Sequence, residues 1–157
     1  MKEIPIRAYG AVVVLIKKDK DDGRFLLLRR VHEPVGTWCY VAGGIEENEK
    51  AYETAIREAK EETGLEVKEL YSASLCEQFY EIRNDAVWIA PVFVGFVDES
   101  VEVKTNHEHN QFKWCTKDEC MDLLIFSGQK QIIGSIHRDF VMKQPTPLLK
   151  INIQKPA

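Results

Sequence analysis

At 157 residues, with 45% apolar and 29% charged side chains, the chain has the size and balance of one globular domain with a substantial core. Its formal charge of −4 and the shortness of its basic clusters, Lys17-Lys18 and Arg29-Arg30, exclude a broad nucleic-acid surface, which needs many clustered cations. The longest apolar stretches, residues 11–16 and 86–97, fall short of the ~20 residues that span a bilayer, so no membrane partner is expected.

The first seven residues carry both charge signs and lack the basic-then-apolar plan of a secretory leader, so a cytoplasmic location is the expectation. Cys39, Cys76, Cys115 and Cys120 form no C-x-x-C pair and are expected as reduced, mostly buried thiols. An acidic protein can still accept a small phosphorylated molecule when a divalent cation stands between the two negative partners.

In chain order, residues 9–17 and 24–30 read as antiparallel strands joined by the polar turn Lys18-Asp19-Lys20-Asp21-Asp22-Gly23. Trp38-Cys39-Tyr40-Val41 is a short strand leading into Gly43-Gly44. A helix is predicted from about Asn48 to Thr63, with Gly64 as its C-terminal stop. Residues 65–82 and 86–97 are two further strand regions around the turn Arg83-Asn84-Asp85, and Pro91 weakens the middle of the second. Residues 111–115 suggest one more strand. Helices follow over 117–126, with Thr116 as N-cap, and over 129–142. Pro145 and Pro147 end the last helix, which divides the chain into one domain, 1–145, and a tail, 146–157, of extended or mobile character. This order implies the α/β class, with a mixed sheet covered by helices on its faces.

The informative segment is residues 43–65. Glu58, Glu61 and Glu62 stand at i, i+3 and i+4 and share one helix face, beside the apolar stripe of Ala51, Ala55, Ile56 and Ala59. Such a cluster taken alone is usually a solvated surface. A row of carboxylates bordering the buried side is costly without a counter-ion, and carboxylate oxygens are the preferred hard ligands of magnesium.

Gly43, five residues, Glu49, seven residues, then Arg57-Glu58-Ala59-Lys60-Glu61-Glu62-Thr63-Gly64-Leu65 resembles the complete box of the Nudix hydrolase (MutT-like) family, G-x5-E-x7-R-E-U-x-E-E-x-G-U, where U is apolar. Upstream, Trp38-Cys39-Tyr40-Val41-Ala42-Gly43-Gly44-Ile45-Glu46-Glu47-Asn48-Glu49 is similar to the family's W-x-F-P-G-G-x-I-E-x-G-E entry. Val41, Ala42 and Asn48 replace Pro, Gly and Gly, and Asn48 is a mild change because Asn tolerates the left-handed conformation. Arg57, four residues before Glu61, is close enough to pair with a helix carboxylate, and Glu49 is expected in the first helical turn.

The resemblance implies an α/β/α sandwich with a mixed β-sheet and a catalytic loop-helix-loop. It implies Mg2+, with Mn2+ as a substitute, held by Glu58 and Glu62 and by the carbonyl of Ala42. Glu61 is either a further ligand or the base that activates water, and Arg57 orients the carboxylates. Glu108, six residues before Trp114, resembles a fourth carboxylate of some members, the alternative being an exposed loop residue. His107 and His109 are expected as loop or surface residues. Arg29 and Arg30 resemble an arginine pair that contacts substrate phosphates, alongside Gly43 and Gly44; a strand-end surface pair is the competing reading. Trp38, Tyr40 and Phe79 could stack on a base or simply fill the core.

The implied activity is hydrolysis of a diphosphate linkage in a small nucleotide-like substrate. The pattern is most like the branch acting on deoxynucleoside triphosphates such as dATP or on dihydroneopterin triphosphate. Tyr80 lies near a Tyr of dinucleoside polyphosphate hydrolases of the Ap4A type, which is the alternative, and a non-catalytic nucleotide-binding domain is the third reading. A homodimer would fit the family.

Overall fold

The computed structural model describes residues 1–18, 22–100 and 102–154. Its elements are β1 (Ile6–Arg7), β2 (Gly10–Lys18), β3 (Gly23–Arg30), β4 (Trp38–Cys39), β5 (Val41–Gly44), α1 (Ala51–Thr63), β6 (Glu69–Glu81), β7 (Ala86–Val97), β8 (His109–Cys115), α2 (Lys117–Leu123), α3 (Ser127–Ile136) and β9 (Lys150–Ile151).

The unbroken apolar run of β2 is buried on both faces, as a central strand requires. It runs antiparallel to β3 and parallel to β7, and the sheet order is β4-β3-β2-β7-β6-β9, with β1 on β7, β5 on β2 and β8 on β3. Alternation along β2 then separates two cores. Ala11, Val13 and Leu15 pack with Leu26 and Leu28 against Ala55 and Ala59 of α1. Val12, Val14 and Ile16 pack with Phe25 and Leu27 against Ile132, Ile133 and Ile136 of α3. Helices therefore cover both faces of a mixed sheet, the expected sandwich. No helix among the described residues is long and apolar enough to cross a membrane.

Several local expectations are corrected. The strand expected at residues 38–41 is two strands, β4 on β3 and β5 on β2, divided at Tyr40. Helix α1 begins at Ala51 rather than near Asn48, because Asn48 takes φ 67° and Lys50 is extended. Glu49 thus precedes the helix instead of standing in its first turn. Helix α2 stops at Leu123, since Leu124 is extended, and α3 closes in a π-helical turn, His137–Val141. In the tail the extended alternative holds at Lys150–Ile151, which add an edge strand to β6 at Leu70 and Tyr71. Pro91 is accommodated in the interval of β7 between its parallel pairings with β1 and β2. Thr116 caps α2 as expected, accepting from Glu119 N–H while Glu119 accepts from Thr116 N–H. Cys39, Cys115 and Cys120 are buried free thiols and Cys76 is exposed. The turn expected at residues 18–23 lies in part outside the described residues.

Candidate active site

Both ends of α1 are fixed by local chemistry, and this sets the rotational phase of its glutamates. At the start Lys50 N–H donates to Glu53 at 2.8 Å. At the end Gly64 takes φ 74° and its N–H donates to Lys60 O. Helix α1 lies on β5 and β2, and Glu58 occupies the space a Cβ at Gly43 would fill, so such a Cβ would overlap its carboxyl. Gly43 is thus required by the approach of a carboxylate. Ala42, the preceding residue, is exposed and keeps its side chain clear of that contact.

Arg57 ties loop to helix. Its Nε donates to Glu49 Oε1 at 2.8 Å and its Nη2 to Glu49 Oε2 at 3.0 Å, a bidentate pair. Nη2 also reaches Gly44 O at 2.8 Å, and Nη1 reaches Glu58 at 2.6 Å and Glu61 at 3.3 Å. Glu49 accepts further from Thr54 Oγ1 at 2.6 Å and from Glu46 N–H at 3.1 Å. The Arg57 guanidinium, foremost, holds the Glu49 carboxyl down to about 2. The anticipated pairing of Arg57 with Glu61 exists, but it is the longest of these contacts.

The three glutamates of the row have unlike surroundings. Glu61 is half exposed, the Glu58 side chain is 13% exposed, and Glu62 is buried at 2%. Burial, then the charges of Glu108 and Glu58, push the Glu62 carboxyl up to about 9. Glu58 is raised as well, by burial against the opposing Arg57, with Glu61 and Glu108 adding. Glu108 therefore stands within reach of both. It is placed by Val31 N–H donating to its carbonyl and by its own N–H donating to Asn106 Oδ1, each at 3.0 Å.

One sequence expectation is overturned at this end of the sheet. His109 is not a surface residue. It is 6% exposed, with Nδ1 3.9 Å from Glu62 Oε2 and Nε2 3.8 Å from Cys39 Sγ. Burial, foremost, lowers its pKa, and burial pushes the Cys39 thiol up to about 12. Strand alternation sends Arg29 and Arg30 to opposite faces. Arg30 joins the helix side, close enough for its charge to act on Glu62 and Cys39. Arg29 pairs in register with Trp38 and lies over Gly36 on the other side.

That other face holds residues the sequence reading missed or left open. Tyr40 is buried, and beside it Glu77 is a carboxyl of 8% exposure pushed up to about 7 by burial, against a smaller opposing effect of the Tyr40 hydroxyl. The two are near neighbours rather than hydrogen-bonded, since Tyr40 Oη has no partner in bonding geometry. Phe79 is half exposed and stacks on Trp88, ring centroids 5.1 Å apart, and the Trp88 ring fills the space beside Gly10.

The sequence profile of the NUDIX domain matches residues 7–135. The chain belongs to the Nudix hydrolase family. It is 28% identical over 142 residues to the asymmetrical bis(5'-nucleosyl)-tetraphosphatase of Sus scrofa, an alignment covering 85% of this chain and 94% of that protein. Among solved structures, a C. elegans Ap4A hydrolase binary complex superposes with TM-score 0.70 at 21% identity, over 81% of this chain and 93% of its own. The E. coli dihydroneopterin triphosphate pyrophosphohydrolase does so with TM-score 0.71 at 21% identity, over 87% and 99%. These two structures establish the fold alone.

Nudix hydrolases use divalent metal ions, and the residues here fit one. Four carboxylates, Glu58, Glu61, Glu62 and Glu108, lie close enough to disturb one another, and the buried Glu62 Oε2 has no hydrogen-bond partner among the described residues. Among the described residues no three such side chains form a ready-made cage, and Glu58 is turned onto Arg57. Holding a cation here would therefore require side-chain rotation on the helix.

Proposed function

We propose that this Nudix hydrolase splits dinucleoside polyphosphates unequally, releasing a nucleoside monophosphate and the remaining polyphosphate nucleotide. The observation that carries this reading is the likeness to the porcine asymmetrical tetraphosphatase along 94% of that protein. The exposed aromatic rings of Phe79, Tyr80 and Tyr9, with Trp88 beside Gly10, support it, because a substrate with two bases needs more than one stacking surface. The second reading, a nucleoside or dihydroneopterin triphosphate giving monophosphate and pyrophosphate, rests on the same box and on the equal superposition of the E. coli enzyme.

In this proposal Glu58, Glu62, Glu108 and the carbonyl of Ala42 hold Mg2+, for which Mn2+ would serve. When bound, the ion would polarise the phosphoryl oxygens and lower the pKa of water. Glu61, the exposed member of the row, takes the proton of the attacking water. Arg57 keeps Glu49, Glu58 and Glu61 in register with the loop through Gly44 O. Arg30, on the same face, neutralises phosphate charge, and Arg29 serves the opposite face, where a base would sit. The glycines leave room for the diphosphate to approach the backbone.

The test is product analysis by ion-exchange chromatography with diadenosine tetraphosphate, dATP and dihydroneopterin triphosphate, each with Mg2+ and with chelator. Metal-dependent ATP plus AMP from the dinucleotide, at a kcat/KM well above that for the triphosphates, is the expected result. Pyrophosphate release from a triphosphate as the faster reaction would replace it with the second reading. Glu61→Gln should lose at least ~100-fold in kcat with its melting temperature kept, and retained turnover would remove Glu61 as the base.

A further inference from the structure

We infer that His109 is a positioning residue for Glu62, holding the buried carboxylate through Nδ1 while Cys39 orients the far side of the ring; the inference deepens the metal-site reading above and rests on it. Glu62 Oε2 and His109 Nδ1 are both fully shielded and both lack a hydrogen-bond partner among the described residues. They face each other across 3.9 Å. Leaving either one buried and unpaired is costly. The gap is shorter than the ~4.5 Å that two hydrogen bonds at the tetrahedral angle of a bridging water span, so a direct bond between the two is the contact that removes both penalties.

The fold invests in this placement. Along the β3–β8 ladder Phe25 pairs with Cys115, Leu26 with Trp114 and Leu28 with Phe112, and regular register would set Arg30 opposite Asn110. A shift between Arg29 and Arg30 sets Arg30 opposite His109 instead. The bulge turns His109 to the α1 side, where plain alternation would have sent it to the other face. On the ring's far side Cys39 Sγ lies 3.8 Å from Nε2, and it also lies 3.7 Å from Leu28 O. The single Cys39 S–H has two acceptors in reach, Leu28 O and Nε2; given to Nε2, it sets the ring hydrogen on Nδ1, facing Glu62. A carboxylate steadied in this way leaves its other oxygen for a cation, and outer partners of this kind typically change metal affinity 10–100-fold.

The experiment measures Mn2+ alone binding to the full chain by electron paramagnetic resonance, without substrate, for wild type and three variants. His109→Leu keeps apolar bulk and removes the donor. His109→Gln keeps the ring's length but carries its amide past the Nδ1 position. His109→Asn places an N–H near Nδ1. The inference expects ~10-fold or greater loss of Mn2+ affinity in H109L and H109Q and recovery to within ~3-fold of wild type in H109N. Should H109L fail to fold, H109Q against H109N makes the same comparison. Wild-type affinity in H109Q, or equal losses in H109Q and H109N, overturns the positioning role. Absence of Mn2+ binding by wild type overturns the metal-site reading and the inference with it.

Discussion

Glu77 offers a measurement in which a single buried carboxyl sets the pH dependence of stability. Its carboxyl lies at 8% exposure in the fold and titrates at about 7, against an ordinary value of 4.5, mainly because burial disfavours the charged form. The folded state therefore holds this proton more tightly than the unfolded chain. The stability tied to the proton is fully present below about pH 4.5 and is lost as pH rises through 7. At 1.36 kcal/mol per pH unit the complete loss is ~3 kcal/mol, or ~6–10 °C in melting temperature for a chain of this size. Glu77→Gln keeps the shape and removes the titration. The variant minus wild-type stability, from urea or thermal unfolding at matched ionic strength, should be near zero at pH 4 and rise to ~2–3 kcal/mol in favour of the variant by pH 8. Every other group titrates in both proteins and cancels in the difference. A difference that is flat with pH would refute the argument that Glu77 is desolvated in the fold.

Two further perturbations test the site. Gly43→Ala places a methyl where the Glu58 carboxyl now lies, and kcat should fall ~100-fold through a displaced carboxylate, checked by steady-state kinetics beside a melting curve. Arg57→Lys keeps one charge but cannot reproduce the bidentate hold on Glu49 together with the bond to Gly44 O. It should cost ~2 kcal/mol in urea unfolding at pH 7 and lower kcat more than it raises KM.

What was legible in the sequence was local. Glu49, Arg57, Glu58, Glu61 and Glu62 meet within one loop and one helix, so spacing alone brings them to one face, and the prediction of a buried-side acidic row is met by Glu62. The opposite destinations of Arg29 and Arg30 were also legible in principle, since a period of two separates neighbours on any strand. His109 was not, because its facing depends on a bulge that only the pairing with β3 creates. Glu77 was hidden similarly. The register of β6 shifts between Ser72 and Leu75, with Ser74 at φ 57°, so alternation counted from the apolar start of the strand does not carry through to Glu77. The edge strand β9 rests on a two-residue pairing beyond Pro147, too short for any periodic signal.

The two faces meet at one thin place. Gly10 pairs with Gly44 and Ala11 with Gly43, so three of the four residues in this stretch of the β2–β5 ladder are glycines. On one side the Glu58 carboxyl fills the Cβ position of Gly43. On the other the Trp88 ring lies 2.9 Å from the Cβ position of Gly10, whose next neighbour is Gly43 O at 3.4 Å. Side chains here would push the carboxylate and the indole apart by the width of a filled strand. Without them the acidic row and the Phe79–Trp88 stack are separated by little more than backbone. Gly43, inside the Nudix box, and Gly10, outside it, thus together set how closely the Glu58 carboxyl and the Trp88 ring approach one another.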